Sequence, residues 1–194
     1  MSNLTLLNIR KKMKLNKIMM AVVLSLSTVS AAQAADGKIT FTGSIIDAPC
    51  SISANTIDQT IELGAISNAA LSANGNTGES TPRPVKISLE NCVVTTTGAV
   101  TTADKVQVKF MGTPSTYDND SLALSGGLAS GAYIVLTGND GNKVLLNTPT
   151  SPQQFVNGAS PDLTFTARLK GGGAGIVIKP GSFAVPVEFQ LSYL

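Results

Sequence analysis

The sequence predicts an all-β chain of the sandwich type, on three observations. Thr, Val, Ile, Ser and Gly dominate its composition. Short runs of alternating apolar and polar residues recur, and turn signals such as Pro82-Arg83-Pro84, Gly126-Gly127 and Gly138-Asn139-Asp140-Gly141 separate them. Beyond the N-terminal leader no segment has the period of a long amphipathic helix, and a parallel α/β sheet would need such helices for its crossovers.

The leader comes first. Arg10, Lys11, Lys12, Lys14 and Lys17 form a basic region, Ile18 to Val29 an apolar core, and Ala32-Gln33-Ala34 a small-residue cleavage site, so residues 1–34 are expected to be a cleaved secretion signal. The apolar core is shorter than the roughly 20 residues of a membrane span. Met13-Lys14-Leu15-Asn16-Lys17 is an equally good signal start, so translation from either Met1 or Met13 gives the same mature chain. Removing 34 of the 194 residues leaves 160, enough for one domain. Five of the fourteen Lys and Arg leave with the leader, so nine basic residues face twelve acidic ones and the net charge becomes −3. A mildly acidic surface with scattered lysines offers no footprint for nucleic acid or for a membrane face.

The mature chain opens on Lys38 to Ile45. Ile39, Phe41, Gly43 and Ile45 share one face and Lys38, Thr40, Thr42 and Ser44 the other, the two-residue period of a strand with one buried side. A terminal strand needs a sheet to join, its own or a neighbour's. Further strands are expected at Thr60 to Leu63, Val85 to Asn91, Lys105 to Met111, Ala132 to Leu136, Lys143 to Leu146, Leu163 to Leu169, Gly175 to Lys179 and Phe183 to Leu194, with Asn74 to Thr81 as a polar loop. Val185, Val187, Phe189, Leu191 and Tyr193 make the last of these one-sided up to the C-terminus. Such a strand is held by its own sheet or by a partner, because an open hydrophobic edge invites aggregation.

Cys50 and Cys92 are the only cysteines, and in an exported chain they are expected to form one disulfide. Closing a loop of this size stabilises by about 4 kcal/mol in the chain-entropy model. No Cys-x-x-Cys spacing and no histidine exist to build a metal or redox centre. The absence of histidine removes Ser-His-Asp and Cys-His catalysis, and there is no Gly-x-Ser-x-Gly elbow. Gly171 to Gly175 lacks the Lys-Ser/Thr of a phosphate loop and reads as a hairpin connection. Asp118, Asn119 and Asp120 lack the later Gly and Glu of a calcium loop and read as a solvated turn. Nothing beside the carboxylates themselves supports a glycosidase-type pair. The chain is expected to be no enzyme and to carry no cofactor.

Taken in order, these pieces resemble a known family, the pilin subunits of chaperone–usher fimbriae, in particular type 1-like major pilins. Gly37-x-Ile39-x-Phe41-x-Gly43-x-Ile45-Ile46-Asp47-Ala48-Pro49-Cys50 is similar to the family's N-terminal extension and first cysteine. Ile61-Glu62-Leu63-Gly64 resembles the early strand, and Val85-Lys86-Ile87-Ser88-Leu89-Glu90-Asn91-Cys92 the strand carrying the second cysteine. At the end, Pro180-Gly181 precedes an alternating strand with tyrosine next to last. The resemblance covers essentially the whole mature chain. Only Ala35 and Asp36 precede Gly37, a mildly short extension for the family.

The resemblance implies an incomplete immunoglobulin-like β-sandwich, completed by a donor strand from a neighbouring subunit. Residues 35–46 would be the donor extension and 47–194 the pilin domain. Ile39, Phe41 and Ile45 would fill a neighbour's groove, with Gly43 admitting close backbone approach. Gly181, Val185, Val187, Phe189, Leu191 and Tyr193 would line the groove and first engage a periplasmic chaperone. Partners implied are other copies of the chain, that chaperone, an outer-membrane usher and other fimbrial subunits. The location would be the periplasm, then a fimbrium on the cell surface. A tip adhesin would need a second domain, whereas a rod subunit and a minor adaptor both fit. The plain single domain without Trp favours the rod. From a different class, a monomeric secreted β-sandwich binding module would use the N-terminal run to complete its own sheet.

Overall fold

The computed structural model describes residues 38–94, 96, 97, 100, 101 and 103–194, so the leader and Ala35 to Gly37 lie outside the described residues. Two compact units divide the chain at Ile45/Ile46. In the first, residues 38–45 form neither helix nor strand. Ile39, Phe41 and Ile45 are 81%, 91% and 103% exposed, so the alternation that predicts a strand is present without a sheet to pair it.

Among the described residues the second unit holds ten strands and two short helices. They are β1 (Ser51–Ile52), α1 (Ala54–Ile57), α2 (Asn68–Asn76), β2 (Arg83–Glu90), β3 (Thr96–Thr97), β4 (Val100–Thr101), β5 (Lys105–Met111), β6 (Leu122–Ala123), β7 (Ala132–Gly138), β8 (Gln153–Gln154), β9 (Asp162–Gly171) and β10 (Glu188–Tyr193). One sheet has the order β1-β2-β9-β7-β6, a second β10-β5-β8, and β3 with β4 makes a small hairpin. Every pairing is antiparallel.

Alternation decides which faces meet. Val106, Val108 and Phe110 of β5 are buried, as are Ile87 and Leu89 of β2, Leu163, Phe165, Ala167 and Leu169 of β9, and Ala132, Ile134 and Leu136 of β7. Phe110 from one sheet meets Phe165 from the other edge-on, with ring centroids 4.9 Å apart, which is the favoured aromatic geometry across a sandwich core. β7 is buried on both faces, because Tyr133 on its outer side lies against Tyr117 and Thr137 accepts a hydrogen bond from Arg168. Cys50 and Cys92 are bonded to each other and buried at one end of the sandwich.

The strands expected at Lys105 to Met111, Val85 to Asn91, Ala132 to Leu136 and Leu163 to Leu169 are β5, β2, β7 and β9; β2 starts two residues earlier and ends at Glu90, and the last two are extended by a few residues. Others differ. Lys143 and Lys179 make only isolated bridges, to Thr137 and Ser130, in place of the strands expected there. Thr60 to Leu63 forms no strand, and in Phe183 to Leu194 the ladder begins only at Glu188. The short helices α1 and α2 have no sequence signal of length or amphipathicity. In α2 only Leu71 is buried, and the backbone leaves helical geometry at Ala73, Asn74 and Gly75, where the polar loop expected from Asn74 begins.

The Asp118 turn is held by charge. The Lys143 ammonium donates to both Asp118 oxygens at 2.6 Å, and the Asp120 amide and Ser121 hydroxyl donate to them as well. Burial alone would push this carboxyl up, but these donors outweigh it, Lys143 foremost, and hold it below its ordinary value. A folded-state value below the unfolded one stabilises fully above about pH 4 and is lost as pH falls through the folded value. The Asp118→Asn chain is therefore expected to lose about 1 kcal/mol at neutral pH. Its thermal midpoint, followed by circular dichroism from pH 7 downward, should fall less steeply below pH 4 than that of the parent.

Candidate functional site

A groove of about 820 Å³ runs between two stretches of chain that belong to no ladder. Along one side lies Gln59 to Gly64, and along the other Gly181 to Val187, continuing into Glu188 and Phe189 of β10. Ile87, Phe110, Leu122, Ile134, Leu136 and Ala167, drawn from both sheets, form the floor. The cleft is therefore an opening of the hydrophobic core itself.

The first wall follows β1 and α1 along the edge of β2. Ser53 donates its amide to Ser88, the Gln59 side chain donates to the Lys86 carbonyl at 3.0 Å, and Gly64 lies beside Arg83. Beyond Ser53 the tether passes to the Gln59 side chain. Among the described residues, no backbone-to-backbone hydrogen bond involves Gln59 to Ile66.

The second wall is fastened at both ends. Its start packs on the Ser125 to Gly131 loop, where Ala184 donates to Ser125, Ala129 to Ser182, and Ser130 and Lys179 to each other. A Cβ on Gly127 would overlap the Ser182 carbonyl, and one on Gly181 would press on the Ala129 amide, so glycine is what lets the two segments approach. Its end is β10, with Phe189, Leu191 and Tyr193 opposite Phe110, Val108 and Val106. Between the fastenings, Val185, Pro186 and Val187 make no backbone-to-backbone hydrogen bond among the described residues. Two unpaired edges thus face each other across an apolar floor, the form of a sheet position without its strand.

Of the residues singled out by sequence, Gly181, Val185, Val187 and Phe189 line the groove. Leu191 and Tyr193 lie beyond it, half-buried against the core, where Tyr193 meets Phe155 edge-on and burial pushes its hydroxyl pKa up. Ile39, Phe41, Gly43 and Ile45 belong to the first unit, and an added Cβ on Gly43 would meet nothing within 4 Å. Of the Gly171 to Gly175 run, Gly171 closes β9 and the rest is a loop, whose Gly172 amide donates to the Gly131 carbonyl. Among the described residues no three acidic, Cys or His side chains cluster as metal ligands would. The floor residues escaped notice in the sequence, because an inward-facing Leu or Ile reads as ordinary core whether or not a strand covers it. Among the described residues, the charged groups lining the groove are all acidic, Asp58, Glu62 and Glu188.

Comparison with known proteins decides the family. The model of the Fimbrial protein family matches residues 39–193, nearly all that the structure describes, with Ile39 of the N-terminal segment inside the match. This chain belongs to the fimbrial protein family. It is 46% identical over 184 residues to the Fimbria A protein of Serratia marcescens, covering 93% of this chain and 99% of that one. It is 40% identical over 185 residues to the Major MR/P fimbria protein of Proteus mirabilis strain HI4320, with 93% and 99% covered. Among solved structures, a chaperone–usher pilus subunit superposes with a TM-score of 0.72 at 31% identity, over 86% of this chain and all of that one. The P pilus rod subunit PapA gives 0.65 at 30% identity, over 76% of this chain and all of that one. The fold is that of the pilins, an incomplete immunoglobulin-like sandwich, and the chain is a structural fimbrial subunit.

The groove walls should be the least protected part of this fimbrial subunit. In hydrogen exchange read by mass spectrometry, peptides spanning Gln59 to Ile66 and Val185 to Val187 are expected to exchange at least about a hundredfold faster than β2, β7 and β9. Equal protection would contradict the unpaired edges.

Proposed function

We propose that this subunit polymerises head to tail by donating residues 35–46 to the groove of another copy. The single observation that carries the reading is the apolar groove between two unpaired edges, in a chain whose own Lys38 to Ile45 segment is apolar on alternate positions and unpaired. A strand laid between Gln59 to Gly64 and Val185 to Phe189 gives both edges their hydrogen bonds and covers the floor. Ile39, Phe41 and Ile45 each gain roughly 1.5–3 kcal/mol from burial, on the order of 5–8 kcal/mol together before ordering costs. Gly43 serves where the groove is too shallow for a side chain. Donor arm and groove are different surfaces, so the contact is heterologous and repeats into an open fibre.

The same groove calls for protection before assembly. In this reading residues 1–34 direct export, a periplasmic chaperone covers the groove with a strand of its own, and an outer-membrane usher passes subunits to the growing fimbrium on the cell surface. The likeness to a subunit of a chaperone–usher pilus supports this route. The role is structural, with no catalysis. The length of one domain and the likeness to proteins named as major fimbrial subunits favour the rod over an adaptor position. A self-contained monomer would have its N-terminal run in its own sheet, and the exposure of Ile39, Phe41 and Ile45 argues against that.

Gly43→Arg tests the reading. Cells making this variant are expected to accumulate folded, chaperone-bound subunit and to lose essentially all fibres built from this chain in electron micrographs of sheared surface material. Fibres at normal abundance would refute the donor assignment.

A further inference from the structure

We propose that consecutive subunits share a second contact outside the groove, in which Leu128 and Val177 of one copy pack against Val93 and Val156 of the next. This rests on the arm-in-groove reading above. These four side chains, all on loops, are 84%, 71%, 58% and 67% exposed, high values for large apolar groups; outside the arm and its root, Ile57 at the groove (61%) and the C-terminal Leu194 (56%) are comparably exposed.

They occupy opposite poles of the sandwich. Val93 donates its amide to Pro49, Cys92 donates to Ala159, and Gly158 donates to Cys92, which places Val93 and Val156 beside the disulfide and at the root of the arm. From that pole the first groove wall runs along β2 to Gly64 beside Arg83, and the second runs the opposite way from Gly181 to β10. At the far pole, Ser130 and Lys179 exchange two backbone hydrogen bonds, with Leu128 against Gly181 and Val177 against Gly131. Leu128 and Val177 thus flank one exposed bridge at the Gly64 and Gly181 end of the groove.

Steric economy selects which poles meet. A repeating head-to-tail contact needs two different faces on each subunit. The disulfide pole already carries the root of the subunit's own arm. An arm leaving its neighbour's groove at that neighbour's disulfide pole would force three successive bodies onto one face. The arm must therefore leave at the far pole, past Gly181. Charge agrees: with that direction Lys38, at the arm's beginning, lies near Asp58 and Glu188 at the opposite end of the groove. Only Asp47 to Pro49 lie between the arm's last residue, Ile46, and buried Cys50, four chain steps that span at most about 14 Å. So short a tether brings the disulfide pole of one copy onto the far pole of the other, valines against Leu128 and Val177. The contact is small and apolar, and it sets the angle between subunits, while the groove supplies the strength.

Paired cysteines test this in assembled fibres. Val156→Cys combined with Val177→Cys, and the pairings with positions 93 and 128, are oxidised and boiled in detergent without reductant. The native cysteines are buried and bonded to each other, so they do not compete. Expected are covalent multimers in at least one pairing, absent from each single variant and collapsed by reductant. Fibres that give no multimers in any pairing overturn the second contact while leaving the arm in the groove. Fibres that persist when Gly43→Arg is added would instead overturn the donor reading. Should the cysteine variants fail to reach the surface, the double variant Val156→Lys/Val177→Glu is compared with Val156→Lys/Val177→Lys. The like-charged pair is expected to shorten the fibre's bending persistence length severalfold in micrographs, and equal lengths would contradict the contact.

Discussion

Two facing rows of unpaired backbone groups along one apolar groove govern this subunit. Gln59 to Ile66 and Val185 to Val187 offer donors and acceptors with no backbone partner among the described residues, above a floor of Ile87, Phe110, Leu122, Ile134, Leu136 and Ala167. An unmade hydrogen bond in a buried position costs about 1–3 kcal/mol, so these edges stay satisfied only while water reaches them. Water over the floor, in turn, forfeits the burial that a sandwich core depends on. One added strand removes both costs together, which makes strand addition the natural completion of the fold.

The rest of the structure keeps that vacancy in shape. At one end the disulfide joins the root of the N-terminal arm to the end of β2, so the arm and the core are bound within a few residues of each other. At the other end Gly127 and Gly181 allow the second wall to lie directly on the Ser125 to Gly131 loop. Between these points the Phe110 and Phe165 rings bridge the two sheets beneath the groove. The walls are thereby fixed at their ends and free in the middle, where a strand would enter. The Asp118 and Lys143 pair fastens a turn outside the groove, so its loss weakens the body without reshaping the cleft.

The parts of the fold legible in the sequence are those whose partner strands lie in the same chain. β2, β5, β7 and β9 alternate or run apolar because one or both faces are buried, and their positions follow from that pattern. β6 and β8, of two residues each, are too short to carry a period. Thr60 to Leu63 and Val185 to Val187 have the residues of strands yet make no backbone-to-backbone hydrogen bond among the described residues, and Lys38 to Ile45 forms no strand. On the proposed reading, periodicity in these segments reports the side-chain environment of the assembled state, and the ladder forms only with a second chain. The C-terminal alternation marks Val185, Val187 and Phe189 as one face of a strand, while Gly181 and the role of all four as a groove wall follow from the family resemblance. The floor was not legible, since Leu122 or Ala167 shows no difference in sequence between a covered core and an open one.

The central claim is that the vacancy accepts the chain's own N-terminal sequence. It is tested most directly by thermal unfolding of arm-deleted subunit, released from its chaperone, with a synthetic peptide spanning Asp36 to Asp47. Binding to the folded state alone raises the midpoint progressively with ligand concentration, by about 2.7 kcal/mol of stability at a hundredfold excess over the dissociation constant. The native peptide is predicted to produce that concentration-dependent rise, and the same peptide with Gly43→Arg to produce none. An unchanged midpoint with the native peptide, or equal rises with both, would contradict the account.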